Sequence, residues 1–96
     1  MERFVVLDPT VDPDPLPASG LAPRPRALAG LRVGLLDNTK RNSDAALDLV
    51  AECLAETEPS ITVVRLRKPT SAKPLPPEMV EEARRRCDVV IAGIGD

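Results

Sequence analysis

Histidine and aromatic residues are what this chain most clearly lacks. Its 96 residues include no histidine, tryptophan or tyrosine, and Phe4 is the only aromatic residue. Without histidine, the chain alone offers no imidazole base, no histidine-dependent hydrolase triad and no imidazole metal site. The core must instead be built from leucine, valine, isoleucine and alanine, which each bury less area than an aromatic residue. We therefore expect so short a domain to be marginal alone and to need a partner.

Charge and cysteine content exclude further classes of function. The net charge is −2, from 13 basic and 15 acidic residues, with no basic stripe, so we expect no nucleic-acid partner. No apolar run approaches about 18 residues, and the first residues do not resemble a secretory signal. We therefore predict a cytoplasmic protein that does not contact a membrane. Cys53 and Cys87 fit no redox or metal spacing and are interpreted as small buried hydrophobic residues; no metal and no cofactor are expected.

Residues 1–30 differ in composition from the rest of the chain. A short strand is predicted at residues 3–7. Proline lacks an N–H and fixes φ, so the proline-dense part that follows predicts an extended arm, partly of polyproline type. Either this arm docks on a partner subunit, or it is a solvated linker. Its prolines are Pro9, Pro13, Pro15, Pro17, Pro23 and Pro25.

Residues 31–96 predict a β-α-β-α-β half-domain. β-branched and apolar runs predict strands at 31–36, 61–66 and 89–92, and apolar residues at helical spacing predict helices near 44–56 and 78–86. This alternation indicates an α/β fold with an open parallel sheet, flavodoxin- or Rossmann-like. With strand order 2-1-3 the helices cover opposite faces. The third strand is then an apolar open edge, which we expect a partner chain to complete.

The loop after the first predicted strand is the best candidate site. In open parallel sheets, ligands bind beyond the carboxyl ends of the strands. The residues from Asp37 to Asn42 follow the first strand and lead into a helix, so backbone N–H groups and Lys40 are placed to hold an anion. A polar turn that only caps the helix, through Asn42 or Ser43, is the structural alternative. The loop matches neither the dinucleotide nor the P-loop pattern.

Two further segments reach the same edge of the predicted sheet. Arg67 and Lys68 follow the second strand and add positive charge that suits a carboxylate or phosphate, although a solvated basic loop explains them equally. Residues 93–96, Gly-Ile-Gly-Asp, follow the third strand, where glycine permits close backbone approach. The chain stops where a site is expected to begin, which predicts a second polypeptide carrying on from here, or a truncated or cleaved piece.

Several segments together carry a resemblance to a known family. They are V-L-D-P-T, L-R-V-G-L-L-D-N-T-K-R-N-S-D, V-V-R-L-R-K-P-T and C-D-V-V-I-A-G-I-G-D. Over essentially the whole chain, this order resembles the UGSC-like family of thiol- or selenol-dependent oxidoreductases. In that family the G-I-G-D turn is followed by selenocysteine or cysteine and then Gly-Ser-Cys. The resemblance implies that the reactive residue belongs directly after Asp96, and we expect it on a partner chain.

The resemblance also implies roles for residues of this chain. Lys40 and Asp96 are the implied catalytic residues, with the turn at residues 93–96 positioning the partner's thiol. The implied substrate-binding residues are Asp37, Asn38, Asn42, Arg67, Lys68, Gly93 and Gly95. The resulting hypothesis is the small subunit of a hetero-oligomeric enzyme with cysteine chemistry, redox or addition–elimination, on a small anionic substrate. The alternative is a non-catalytic scaffold subunit that stabilises a partner and holds an anion at the strand ends.

Overall fold

The fold of the chain is built from five elements in β-α-β-α-β order. The computed structural model describes residues 3–10 and 20–95. Each strand begins and ends within a residue or so of the predicted bounds, as do both helices. The elements are β1 Arg32–Asp37, α1 Ser43–Thr57, β2 Thr62–Arg67, α2 Pro77–Arg86 and β3 Val89–Gly93.

The three strands form one open parallel sheet in the order β2-β1-β3. Val33 of β1 stands opposite Val63 of β2 and Val89 of β3, which sets the register. This arrangement confirms the predicted α/β class and the predicted strand order. Because all three strands run the same way, the loops that follow them meet at one edge of the sheet.

The face of the sheet beneath α1 carries the more deeply buried part of the core. Val33 and Leu35 of the central strand pack against Leu47, and all three are buried. The predicted helical stripe is confirmed, since Val50, Ala51 and Leu54 pack around the same cluster.

The opposite face is covered by α2. Val64 and Leu66 of β2 pack with Cys87, and Met79 and Ala83 of α2 lie against them. Strand residues alternate between the two faces, so α1 and α2 cover opposite sides as predicted. Cys87 is buried as predicted, but the same prediction is wrong for Cys53, which is exposed because it lies off the apolar stripe of α1.

Gly34 lets α2 and the start of β3 approach the central strand closely. A Cβ built on Gly34 would lie 2.6 Å from the Cys87 Sγ and 3.2 Å from the Val90 Cγ2. Real Cβ atoms essentially never approach another atom so closely, so a side chain at this position would force Cys87 to shift.

The strand predicted at residues 3–7 is not formed. Residues 3–10 adopt neither helix nor strand, and the side chains of Phe4, Val5, Val6 and Leu7 are between 84% and 90% exposed. The physical reason is that none of the described strands lies beside this segment to pair with it, and an isolated strand has no hydrogen-bond partners. Of the arm's prolines, Pro13, Pro15 and Pro17 lie outside the described residues.

None of the helices in the described part of the chain is long and apolar enough to cross a membrane.

Candidate functional site

Backbone hydrogen bonds align the three strand ends into one polar edge. The Asn38 N–H donates to the Gly93 carbonyl at 3.0 Å, and the Lys68 N–H donates to the Asp37 carbonyl at 2.9 Å. The loops after β1 and β2 and the end of β3 are therefore in register at the position where ligands bind in this architecture.

Asp37 is a buried carboxylate that organises the β1–α1 loop. It is 9% exposed, and its Oδ1 accepts hydrogen bonds from the Ser43 hydroxyl and, at 2.7 Å, from the Thr39 N–H. The Arg67 Nε lies 4.0 Å from the other oxygen. The Ser43 bond is the main reason that the pKa of Asp37 lies below its usual value, and Thr39 and Arg67 add to the effect against the opposing cost of burial. The group is held as an anion inside the protein.

Asn38 ties the end of β3 to the first loop. Its Nδ2 donates to the Ile94 carbonyl at 2.6 Å, and its Oδ1 accepts from the Lys40 N–H at 3.2 Å. This side chain therefore fixes the distance between the β1–α1 loop and the glycine turn.

The backbone of the first loop turns through two left-handed residues. Thr39 has φ 65° and Asn42 has φ 67°. Asparagine tolerates this conformation, whereas for a β-branched threonine it costs on the order of 1–3 kcal/mol. Such outliers cluster at binding sites, so Thr39 is a reason to examine this loop for function.

The capping prediction for α1 needs correction. Asn42 does occupy the N-cap position, but its side chain makes no capping hydrogen bond. The left-handed backbone at Asn42 replaces the extended conformation that a capping side chain needs. Ser43 is the first helical residue instead, and its hydroxyl is used by Asp37.

A cavity of about 450 Å³ opens at this edge, between the first loop, the second loop and the turn after β3. Two residues from the sequence-based set, Lys40 and Gly95, line it. The four lining residues that the sequence reasoning did not single out are Thr39, Arg41, Ser71 and Ile94. All four lie in or beside the loops it had chosen, so their position beyond a strand end was the available signal.

The other predicted site residues that the structure describes do not line this cavity. Arg67 faces a separate space of about 210 Å³ that it shares with Asp37 and Arg65. Lys68 is half-buried and Asn42 is exposed. The position of a Cβ on Gly93 would be 3.5 Å from Leu47 Cδ2, an ordinary contact.

Asp96, the second implied catalytic residue, lies outside the described residues. Among residues 3–10 and 20–95, no group of three or more cysteine, aspartate or glutamate side chains is arranged to hold a metal ion. The roles of Lys40 and of the implied substrate-binding residues stay predictions.

These features define an open-sheet α/β protein with a polar cavity at the carboxyl ends of its parallel strands. The family model that describes the UGSC family matches residues 5–96, and the chain belongs to that family. Neither a curated protein nor a solved structure matches it.

Proposed function

We propose that this chain is the small subunit of a heteromeric, cysteine-dependent enzyme of the UGSC family and binds a small anionic substrate at its strand ends. The observation that carries the proposal is the cavity lined by Lys40 and Arg41 from the first loop, Ser71 from the second, and Ile94 and Gly95 from the third. Three separate segments contribute to one space, which a simple helix-capping turn would not require.

The chemistry of the cavity favours an anion. Lys40 and Arg41 bring two positive charges, and the Ser71 hydroxyl adds a neutral donor, whereas the Thr39 hydroxyl already donates to the Asn38 carbonyl at 2.6 Å. Arginine matches the geometry of carboxylate and phosphate oxygens, and lysine acts as a point charge beside them. A small carboxylate or phosphate ester is therefore the substrate class that we propose.

The reactive thiol is proposed to come from the partner chain. Neither cysteine of this chain lines the cavity: Cys53 is exposed on α1, and Cys87 is buried beside α2. Cations near a thiol lower its pKa and increase the fraction of thiolate, the nucleophilic form. A thiol delivered next to Lys40 and Arg41 would be activated in this way.

The edge strand β3 supports the need for a partner. Val90 and Ile91 are exposed hydrophobic residues on a strand that pairs only with β1 within the described sheet. Unprotected apolar edges are avoided in monomers because they pair with other chains. The partner is proposed to add a strand here, which would bring its thiol-bearing segment to the end of β3.

Two reactions are compatible with this arrangement. In addition–elimination, the thiolate adds to an electrophilic carbon of the substrate and is later expelled, so the sulfur returns to its starting state. In a redox reaction, the two thiols of a Cys-Gly-Ser-Cys segment become a disulfide while the substrate takes up two electrons and two protons. A cytoplasmic location belongs to the proposal, because both cysteines are free and free thiols persist in reducing compartments.

The test is Lys40→Ala in the complex with the polypeptide that carries the Cys-Gly-Ser-Cys segment. The readout is the pH dependence of alkylation of that cysteine by iodoacetamide. Removing the Lys40 charge is expected to move the apparent thiol pKa upward and to slow alkylation at neutral pH by about tenfold, with assembly unchanged. Lys73→Ala is the matched control, since Lys73 is an exposed lysine that does not line the cavity.

The outcomes separate the enzyme from a scaffold. A complex that assembles while its thiol titrates identically with and without Lys40 would make this chain a non-catalytic stabilising subunit. A chain that forms no complex with the thiol-bearing polypeptide would remove the heteromeric proposal itself.

A further inference from the structure

A groove lies on the α2 face of the sheet and shares no lining residue with the strand-end cavity. It measures about 740 Å³, and residues 22–25 of the arm form one wall. Leu75, Val80, Ala83 and Val90 are among the apolar residues of its floor and opposite wall. We call it the α2 groove. An apolar groove of this size on a small domain is a typical binding surface for another apolar segment.

The same chain carries an apolar segment with nothing to cover it. The side chains of Phe4, Val5, Val6 and Leu7 are four consecutive hydrophobic residues, each at least 84% exposed. They include the only aromatic residue of the chain. Leaving four such side chains in water forgoes the burial that stabilises small domains, so this segment is expected to dock on a surface.

We propose that residues 4–8 of one copy occupy the α2 groove of a second copy, so that two chains exchange their arms. Charge supports this occupant: Asp8 ends the apolar segment, and Arg24 lines the groove, as does Arg84, which also pairs with Glu81 at 3.5 Å. The acidic residue of the groove, Asp88, is already paired with Arg32 at 3.0 Å. The docked segment thus places its carboxylate beside arginines and its apolar side chains on the apolar floor.

A second copy is favoured over the chain's own groove by the course of the arm. Residues 22–25 already form a wall of the groove, so residues 4–8 would have to fold back sharply to enter it. The sequence between Asp8 and Gly20 contains four prolines, and proline-rich linkers act as semi-rigid extended spacers that resist such a reversal.

Reciprocal exchange of the arms also covers the exposed apolar surfaces of both copies. In a two-fold dimer, the segment of each chain fills the groove of the other, so neither apolar surface is left exposed. The groove lies on a face of the sheet rather than at the strand ends, so this inference does not depend on the proposed function.

The first experiment measures the oligomeric state of the full chain by sedimentation equilibrium over a range of concentrations. The wild-type chain is expected to dimerise, and Phe4→Asp to raise the dissociation constant by about tenfold or more, since buried aromatic residues dominate such contacts. Leu49→Asp is the matched control: Leu49 is 63% exposed on α1 and should leave dimerisation unchanged. A wild-type chain that stays monomeric up to millimolar concentration would overturn the proposal, as would equal effects of the two substitutions.

The second experiment asks which groove is filled. Val6→Cys and Val80→Cys are combined in a chain with Cys53→Ser, and the disulfides formed under mild oxidation are mapped after mixing differently labelled copies. Cross-links between copies are the expected result. Cross-links only within single chains would show that the arm fills its own groove and would refute the exchange.

Charge reversal gives an independent check. Arg24→Glu is expected to weaken the dimer, and adding Asp8→Arg to restore it. Failure of the second change to restore any affinity would remove the assigned contact between the acidic end of the segment and the groove.

Discussion

Ser43→Ala is the change that most directly tests the structural account of the strand-end edge. Ser43 is 1% exposed, and its hydroxyl donates to the Oδ1 of Asp37, a carboxylate that is itself 9% exposed. Alanine removes this donor without adding volume. Asp37 then keeps the Thr39 N–H and the more distant Arg67 as its partners.

The expected destabilisation is about 2 kcal/mol. A hydrogen bond to a charged, buried group contributes roughly 1.5–3 kcal/mol, and the better helix propensity of alanine at the start of α1 returns up to about 0.5 kcal/mol. For a domain of this length, each kcal/mol lowers the melting temperature by roughly 4–8 °C. We therefore expect the melting temperature to fall by about 8–16 °C.

The effect of Ser43→Ala should depend on pH, because the bond lowers the pKa of Asp37. A lowered folded-state pKa stabilises the protein above the unfolded value of about 3.9, and this contribution is lost as the pH falls through the folded-state pKa. The substitution removes the main cause of the lowering. The stability gap between wild type and variant should therefore be largest near pH 7 and become smaller below about pH 3.9.

Urea denaturation followed by far-ultraviolet circular dichroism at pH 7 and pH 3 is the appropriate assay, since the chain has no tryptophan or tyrosine to report by fluorescence. Ser71→Ala is the control, the same chemical change at an exposed serine. A loss below about 0.5 kcal/mol, or a gap of equal size at both pH values, would refute the assigned role of the Asp37 network.

Two other features of the fold give further predictions. Gly34→Ala should lower the free energy of unfolding, measured by urea denaturation, by about 1–3 kcal/mol because its Cβ would meet Cys87 Sγ at 2.6 Å. Gly20→Ala is the control and should be close to neutral, since nothing lies within 4 Å of a Cβ at that position. Equal effects of the two substitutions would contradict the packing. Arg32 donates to Asp88 and thereby lowers the Asp88 pKa, so Arg32→Gln should raise that pKa in an NMR titration of the carboxyl carbon, and an unchanged value would exclude the pair in solution.

The fold was predictable because its determinants are local. The apolar stripe of α1 and the β-branched residues of β2 lie within single elements, and the β-α-β-α-β alternation leads directly to a parallel sheet. The strand predicted at residues 3–7 failed for the complementary reason. Strand formation depends on a neighbouring strand, and the hydrophobicity of Phe4 to Leu7 contains no information about whether such a neighbour is present.

The site was predictable in position but not in detail. That polar loops would meet at one edge follows from the topology. The bond from Asn38 to the Ile94 carbonyl joins residues 56 positions apart, and no local pattern encodes it. The residue type of Ser43 suits a helix cap. In the structure, however, Asn42 occupies that position in a left-handed conformation, and the Ser43 hydroxyl donates to Asp37 instead.

The hydrogen bonds of this edge divide the loop after β1 into two functional parts. Asp37 and Asn38 already use their side chains within the protein, on Ser43 and on the Ile94 carbonyl. A buried polar group that is satisfied in this way has little left to offer a ligand, and breaking its bonds would cost more than a new contact returns. We therefore expect these two residues to position the loop, and their role in substrate binding stays a prediction. Thr39 is satisfied in the same way, by Asp37 and by the Asn38 carbonyl, so ligand contacts in this loop fall to Lys40 and Arg41, which line the cavity. For this reason, replacing Lys40 should change the reactivity of the partner's thiol without lowering the stability of the fold. Replacing Ser43 should lower the stability and leave the reactivity of the thiol unchanged in the folded complex.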